Sequence, residues 1–145
     1  MSTSEKRLKR VLFLCSGNSA RSQMAEALLR HIAADRFEVV SAGTIPREHV
    51  HPDAIETLRG NNVPVDGLRP KDVATLAGAS FDYVITLCDR ARERCPTFAF
   101  AEMMHWTFPD PAQILDATAR TRAFKEIFAG LSQRVRFLII VDEKM

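Results

Sequence analysis

The stretch VLFLCSGNSARSQMAEALLR, residues 11–30, decides how this chain is read. Val11 to Leu14 is an unbroken apolar run ending in Cys15, the pattern of a strand buried on both faces of a parallel sheet. A polar loop follows. Apolar residues then recur at Met24, Ala27, Leu28 and Ile32, which predicts a helix over 19–34. Strand, loop and helix N-terminus thus put a thiol at one end of a short loop and the Arg21 guanidinium at the other.

That arrangement suits a tetrahedral oxyanion held over a reactive thiolate. Gly17 frees the backbone so that successive N–H groups can turn inward as an anion nest. The helix N-terminus adds partial positive charge, and Arg21 offers a planar fork matching two oxygens of a phosphate-like group. The same field favours the thiolate of Cys15, the form that attacks. Ser22 is placed to donate a hydrogen bond to that sulfur, and Asn18 to fix the loop's shape. The expected oxyanion cradle is therefore Ser16, Gly17, Asn18, Ser19, Ala20, Arg21 and Ser22. The competing reading is an inert strand-end cysteine beside an ordinary turn.

Downstream, Phe37–Val40 reads as a second strand, stopped by Ser41-Ala42-Gly43-Thr44. A helix is predicted over 51–61, with Ala54, Ile55 and Leu58 on one face, and a short one over 72–77. Phe81–Cys88 is a third strand, again ending in a cysteine. Met103–Phe108 is a fourth, ended by Pro109-Asp110-Pro111, and a long helix is predicted over 119–138. Alternating strands and helices imply an α/β fold, one domain over 1–145 with a four-stranded, mostly parallel sheet flanked by helices. Ligands bind such sheets at the carboxyl ends of the strands. The loops after Cys15, after Cys88 and around Asp110 then share one edge.

Composition excludes several classes. With 20 basic and 18 acidic residues the formal charge is +2, too small to argue for nucleic acid. The basic start, Lys6, Arg7, Lys9 and Arg10, reads as a solvated lead into the first strand. No apolar run approaches the roughly 20 residues of a membrane span, and no export leader is recognisable. A cytoplasmic protein without a membrane partner is expected. Three cysteines, an odd number, argue against a static disulfide framework. The Cys88 to Cys95 spacing is unlike a zinc site. His31, His49 and His51 lack ligand spacing and read as surface or capping residues. No resident metal or tightly bound cofactor is expected.

Residues 15–26, CSGNSARSQMAE, resemble the phosphate loop of the low-molecular-weight tyrosine phosphatase superfamily. With SAGT (41–44), TLCDRARERCP (86–96) and HWTFPDP (105–111), the likeness narrows to arsenate reductases of the thioredoxin-coupled type and covers nearly the whole chain. The resemblance implies that Cys15 is the nucleophile, Arg21 the oxyanion clamp and Asp110 the general acid. It also implies that arsenate, phosphate and sulfate are oxyanion ligands. Asp110 has independent support, because two flanking prolines make its loop rigid and a carboxylic acid there can protonate a departing oxygen.

By the same likeness, Cys88 attacks the Cys15–arsenic adduct. Cys95 then forms a Cys88–Cys95 disulfide that thioredoxin reduces. Disulfide bonding needs Cα atoms roughly 4.4–6.8 Å apart, so the charged segment Asp89–Arg94 has to move during such a relay. Arg90, Arg92 and Arg94 read as a solvated face.

Two features depart from the pattern: Ala20 stands where many reductases have a cysteine, and Pro-Ala-Gln after Asp110 lacks the aromatic residues of tyrosine phosphatases. Asn18, Glu26 and Ser41 match a potassium site found in some members. A phosphatase using Cys15, Arg21 and Asp110 alone is the alternative. A non-enzymatic oxyanion or redox sensor, and a glutathione- or mycothiol-linked reductant, also stay open.

Overall fold

The computed structural model describes residues 7–144; Lys6 of the basic start lies outside the described residues. Strand β1 (Lys9–Cys15) leads into helix α1 (Arg21–Ala33), then β2 (Phe37–Gly43), α2 (Pro52–Gly60), β3 (Tyr83–Thr86), α3 (Asp89–Arg94), β4 (Glu102–His105) and α4 (Ala117–Glu143). Single 3-10 turns lie at Val73–Leu76 and Pro111–Gln113. The strands pair in the order β2-β1-β3-β4, every neighbour parallel. This is the four-stranded parallel sheet with flanking helices that the sequence leads one to expect.

The unbroken apolar run of β1 has a physical reason, since both faces of the strand are covered. Val11, Phe13 and Cys15 turn toward a large cluster with Met24, Leu29, Leu58, Phe124 and Leu131 from three helices. Leu12 and Leu14 turn toward a smaller cluster with Val73, Phe81, Ala91 and Phe98. Among the described residues no helix is long and apolar enough to cross a membrane.

Several boundaries differ from the sequence reading. β2 does not stop at Val40: Ala42 pairs with Leu14 and Gly43 with Cys15, so the small residues finish the strand instead of turning it. α1 begins at Arg21 rather than Ser19, because the loop keeps a non-helical backbone, with Asn18 in the left-handed region (φ 48°). β3 and β4 are shorter than expected, at both ends of the former and at the C-terminal end of the latter. The charged segment after Cys88 is helical: the Cys88 sulfur accepts the Ala91 N–H at 3.4 Å and caps α3. His51 is a capping residue, its Nδ1 accepting the Asp53 N–H at 3.0 Å.

α4 runs past Leu138 to Glu143 because its last turn is anchored to the sheet. Buried Asp142 accepts from Lys9 Nζ at 2.6 Å, Tyr83 Oη at 2.6 Å and Arg36 at 2.7 Å. Burial pushes its carboxyl up, but these three donors outweigh that and hold it below the ordinary 3.8. A depressed carboxylate stabilises the fold above its unfolded-state pKa, and that stability is lost as pH falls through the folded value. Asp142→Asn is therefore expected to cost about 1–2 kcal/mol at neutral pH, the partners being partly exposed. Thermal melts from neutral pH down to about pH 3 should show wild type and variant converging in acid. A constant gap would deny the ionic origin.

Candidate active site

Three elements close over the carboxyl end of β1. The loop from Ser16 to Ala20 leaves β1 and enters α1, and its carbonyls are all taken by outside donors. Thr44 N–H donates to Cys15 O (3.2 Å), Ile45 to Ser16 O (2.9 Å), Arg47 to Gly17 O (2.9 Å), and His51 to Ser19 O (2.9 Å). Gln23 Nε2 donates to Asn18 O at 3.0 Å, and Met24 N–H to Ala20 O at 3.0 Å. In a trans peptide the N–H points opposite to the C=O. Turning these carbonyls outward therefore turns the N–H groups of residues 16 to 21 inward, as an anion nest. The left-handed residue that allows the turn is Asn18, whereas Gly17 was the expected one.

A polar chain runs behind the Cys15 sulfur. The Lys71 backbone N–H donates to Asn18 Oδ1 at 2.8 Å, which fixes the orientation of that amide. Asn18 Nδ2 then donates to Ser22 Oγ (2.8 Å) and Ser41 Oγ (2.9 Å). Ser22, accepting from Asn18, keeps its own proton for Cys15 Sγ, 2.8 Å away. The Asn18 N–H also points at that sulfur, at 3.3 Å. Two donors thus converge on the Cys15 sulfur, an arrangement suited to negative charge on it.

The Ser41 hydroxyl donates to Glu26 Oε1 at 2.6 Å, so Asn18, Glu26 and Ser41 do come together. Glu26 is already balanced by the chain's own cations: Arg30 at 2.6 Å and the Lys71 ammonium at 3.7 Å. Burial pushes that ammonium below its usual value against the pull of Glu26. Asn18 presents its amide nitrogen here, not its oxygen. These residues do not fit an additional potassium ion.

Arg21 and Asp110 meet at the mouth. Cys15, Ser16, Gly17, Ser19, Arg21 and Asp110 line one cavity. Arg21 donates to Phe108 O at 2.9 Å, and its other terminal nitrogen lies 3.8 Å from Asp110 Oδ2. Its Nε is buried with no hydrogen-bond partner among the described residues. A buried orphan donor is costly unless something binds there. Asp110 Oδ1 accepts the Ala112 N–H at 3.0 Å, which fixes the carboxyl at the start of its 3-10 turn.

Cys88 and Cys95 stand apart from that cavity, and all three thiols are free. Leu87 N–H donates to Leu14 O at 2.9 Å, so Cys88 leaves β3 beside the point where Cys15 leaves β1. Cys15 belongs to the large apolar cluster, Cys95 packs on the small one, and Cys88 touches both. Burial pushes the Cys95 thiol above its usual value. His105 ties this region to β4, with Nδ1 2.6 Å from Thr86 Oγ1 and Nε2 3.1 Å from Asp89.

Sequence reasoning missed Gln23, Lys71 and Arg47. Gln23 carried a weak signal, a polar residue in the first turn of an otherwise apolar helix face. The other two act across long stretches of chain and carried none.

Gly43 is needed for close approach. A Cβ there would stand 2.6 Å from Ser16 O and 3.0 Å from the Asn18 Cβ. Gly43→Ala is expected to push the loop off β2, costing about 1–3 kcal/mol and weakening inorganic phosphate binding at least about tenfold. Thermal melts with calorimetric titration check it, and unchanged phosphate affinity would refute it.

Comparison with known proteins supports the same chemistry. An arsenate reductase of Shouchella clausii (strain KSM-K16) is 36% identical over 106 residues, 72% of this chain and 76% of the relative. The thioredoxin-dependent arsenate reductase of Corynebacterium glutamicum superposes with a TM-score of 0.77 at 30% identity, over 94% of this chain. This chain spans only 62% of that protein. An arsenate reductase in the phosphate-binding state gives a TM-score of 0.78 at 28% identity, over 92% of this chain and 98% of the other. Residues 10–144 match a family described as low molecular weight phosphotyrosine protein phosphatase, and with nearly the whole chain covered the protein belongs to that family.

Proposed function

We propose that this protein, as a single catalytic unit, reduces arsenate to arsenite, with electrons from thioredoxin. The observation that carries the reading is a second thiol just past β3, the strand that pairs with β1. Cys88 follows Leu87, whose N–H bonds Leu14 O at 2.9 Å beside Cys15. A phosphatase working through Cys15, Arg21 and Asp110 has no use for it.

Arsenate enters the amide nest with two oxygens on Arg21. The Cys15 thiolate attacks arsenic and an As–O bond breaks, the departing oxygen taking its proton from Asp110. Ser22 and the Asn18 N–H hold the sulfur on line. The Cys88 thiolate then attacks the Cys15 sulfur, an S–S bond forms, and the S–As electron pair stays on arsenic. Arsenic passes from the pentavalent to the trivalent state as the two sulfurs are oxidised.

Cys95 attacks Cys88 and frees Cys15, leaving a Cys88–Cys95 disulfide for the dithiol of thioredoxin to reduce. With the Cys95 thiol protonated and half-buried at rest, it becomes a nucleophile once α3 unwinds. α3 is only six residues long and its cap is the Cys88 sulfur itself. Attack by that sulfur removes the cap that holds the helix.

The test is NADPH oxidation with thioredoxin, thioredoxin reductase and arsenate, with arsenite measured as product. Wild type is expected to turn over repeatedly. No NADPH oxidation alongside hydrolysis of p-nitrophenyl phosphate would replace this reading with the phosphatase one. Cys15, Arg21 and Asp110 equip the protein for that reaction too.

A further inference from the structure

Arg47 stands at the mouth of the oxyanion cavity, on the same lining as Cys15, Arg21 and Asp110, yet it has no task in the mechanism above. We propose that Arg47 is a second oxyanion-binding guanidinium that reads the second negative charge of a dianionic tetrahedral oxyanion. This rests on the reading of the cradle as an arsenate site.

Three observations carry it. First, its backbone is fixed: the Arg47 N–H donates to Gly17 O at 2.9 Å, and Thr44 and Ile45 are tied to Cys15 and Ser16 in the same way. The side chain therefore starts from a defined point one layer outside the loop. Second, its stem lies across Gly17. A Cβ on Gly17 would stand 3.2 Å from Arg47 Nε, 3.3 Å from Cγ and 3.4 Å from Cδ. Gly17 is not in the left-handed region, and its bare Cα lets the Arg47 stem lie this close to the loop. Third, the guanidinium makes no hydrogen bond or ion pair with any described residue. A planar fork of five donors lines the mouth of the cavity and is left unused.

Charge balance says what it awaits. Asp110 already lies 3.8 Å from Arg21 and offsets part of that positive charge. Even with Asp110 protonated for its role as acid, a Cys15 thiolate and a dianion bring three negative charges to a cavity with one other guanidinium. Backbone amides and a helix N-terminus supply only partial charges. Arg47 provides the missing full charge, on the side of the ligand facing solvent. Because it is exposed, its pull is screened by salt and acts on capture more than on the buried chemistry.

The experiment compares wild type, Arg47→Ala and Arg47→Lys in two assays. One is steady-state arsenate reduction; the other is calorimetric binding of inorganic phosphate and sulfate to the reduced protein. Arg47→Ala is expected to raise the KM for arsenate and the Kd for phosphate by about tenfold, with kcat within about twofold. Arg47→Lys keeps the charge and should stay within about threefold of wild type. The phosphate penalty should grow from about pH 5.5 to about pH 8 as the ligand becomes a dianion. The sulfate penalty, on a ligand dianionic throughout, should stay constant.

Unchanged KM and Kd, a loss confined to kcat, or a phosphate penalty independent of pH would each overturn the proposal. A wild type that binds phosphate but does not reduce arsenate would remove the reductase reading alone. The phosphate and sulfate comparison would still decide Arg47.

Discussion

Cys88→Ser is expected to cut multiple-turnover arsenate reduction at least about 10³-fold while leaving p-nitrophenyl phosphate hydrolysis within about threefold of wild type. The asymmetry follows from electron bookkeeping. Hydrolysis of a phosphocysteine needs only water, whereas release of arsenite needs a second thiol to take the Cys15 sulfur and leave an electron pair on arsenic. The substitution is structurally mild. A serine hydroxyl can accept the Ala91 N–H that the Cys88 sulfur now accepts at 3.4 Å, so α3 keeps its cap.

Cys95→Ser separates the steps further: it should yield about one arsenite per protein and stop as a Cys15–Cys88 disulfide. Quenched-flow arsenite counts with mass spectrometry of the trapped protein check both variants. If Cys88→Ser turned over normally with arsenate, the relay would be wrong, and the thiol that follows β3 would be a packing residue.

The parts of this site that were legible in the sequence are the local ones. The apolar run of β1, the loop and the start of α1 are contiguous, so one window held strand, thiol, nest and guanidinium. The parallel sheet was legible as alternation, and it carried the loops after β1 and β3 and around Asp110 to one edge. What stayed hidden is contact over long separations. Nothing near Asn18 announces that the Lys71 backbone will orient its amide, or that residues 44 to 51 will take up the loop's carbonyls. The SAGT stretch looked like a turn because small residues favour turns. Their smallness serves instead to let Gly43 approach Ser16 and Asn18. α3 was hidden for a different reason: six residues carry too little periodicity to read, and its cap is a cysteine, not one of the usual capping residues.

Arg21→Lys should be the most damaging conservative change in the cradle, lowering kcat/KM for arsenate and for p-nitrophenyl phosphate alike by about 10²–10³-fold. Charge alone would be preserved, so the expected loss comes from shape. The guanidinium does three things at once: one terminal nitrogen holds Phe108 O at 2.9 Å, the other lies 3.8 Å from Asp110, and Nε points unpartnered into a buried position. A lysine ammonium is a point charge on a flexible stem and cannot reproduce that spacing. It would also leave the Phe108 carbonyl without its donor, and with it the tether that keeps the Pro109-Asp110-Pro111 loop over Cys15. On the relay proposed above, the two reactions share this clamp and diverge only at Cys88, so they should fall together here and separate there. Inorganic phosphate affinity should drop in parallel, with the melting temperature within a few degrees of wild type. Phosphate binding that survived Arg21→Lys unchanged would show that the amide nest alone holds the oxyanion, and Arg21 would then be only a strut for the Asp110 loop.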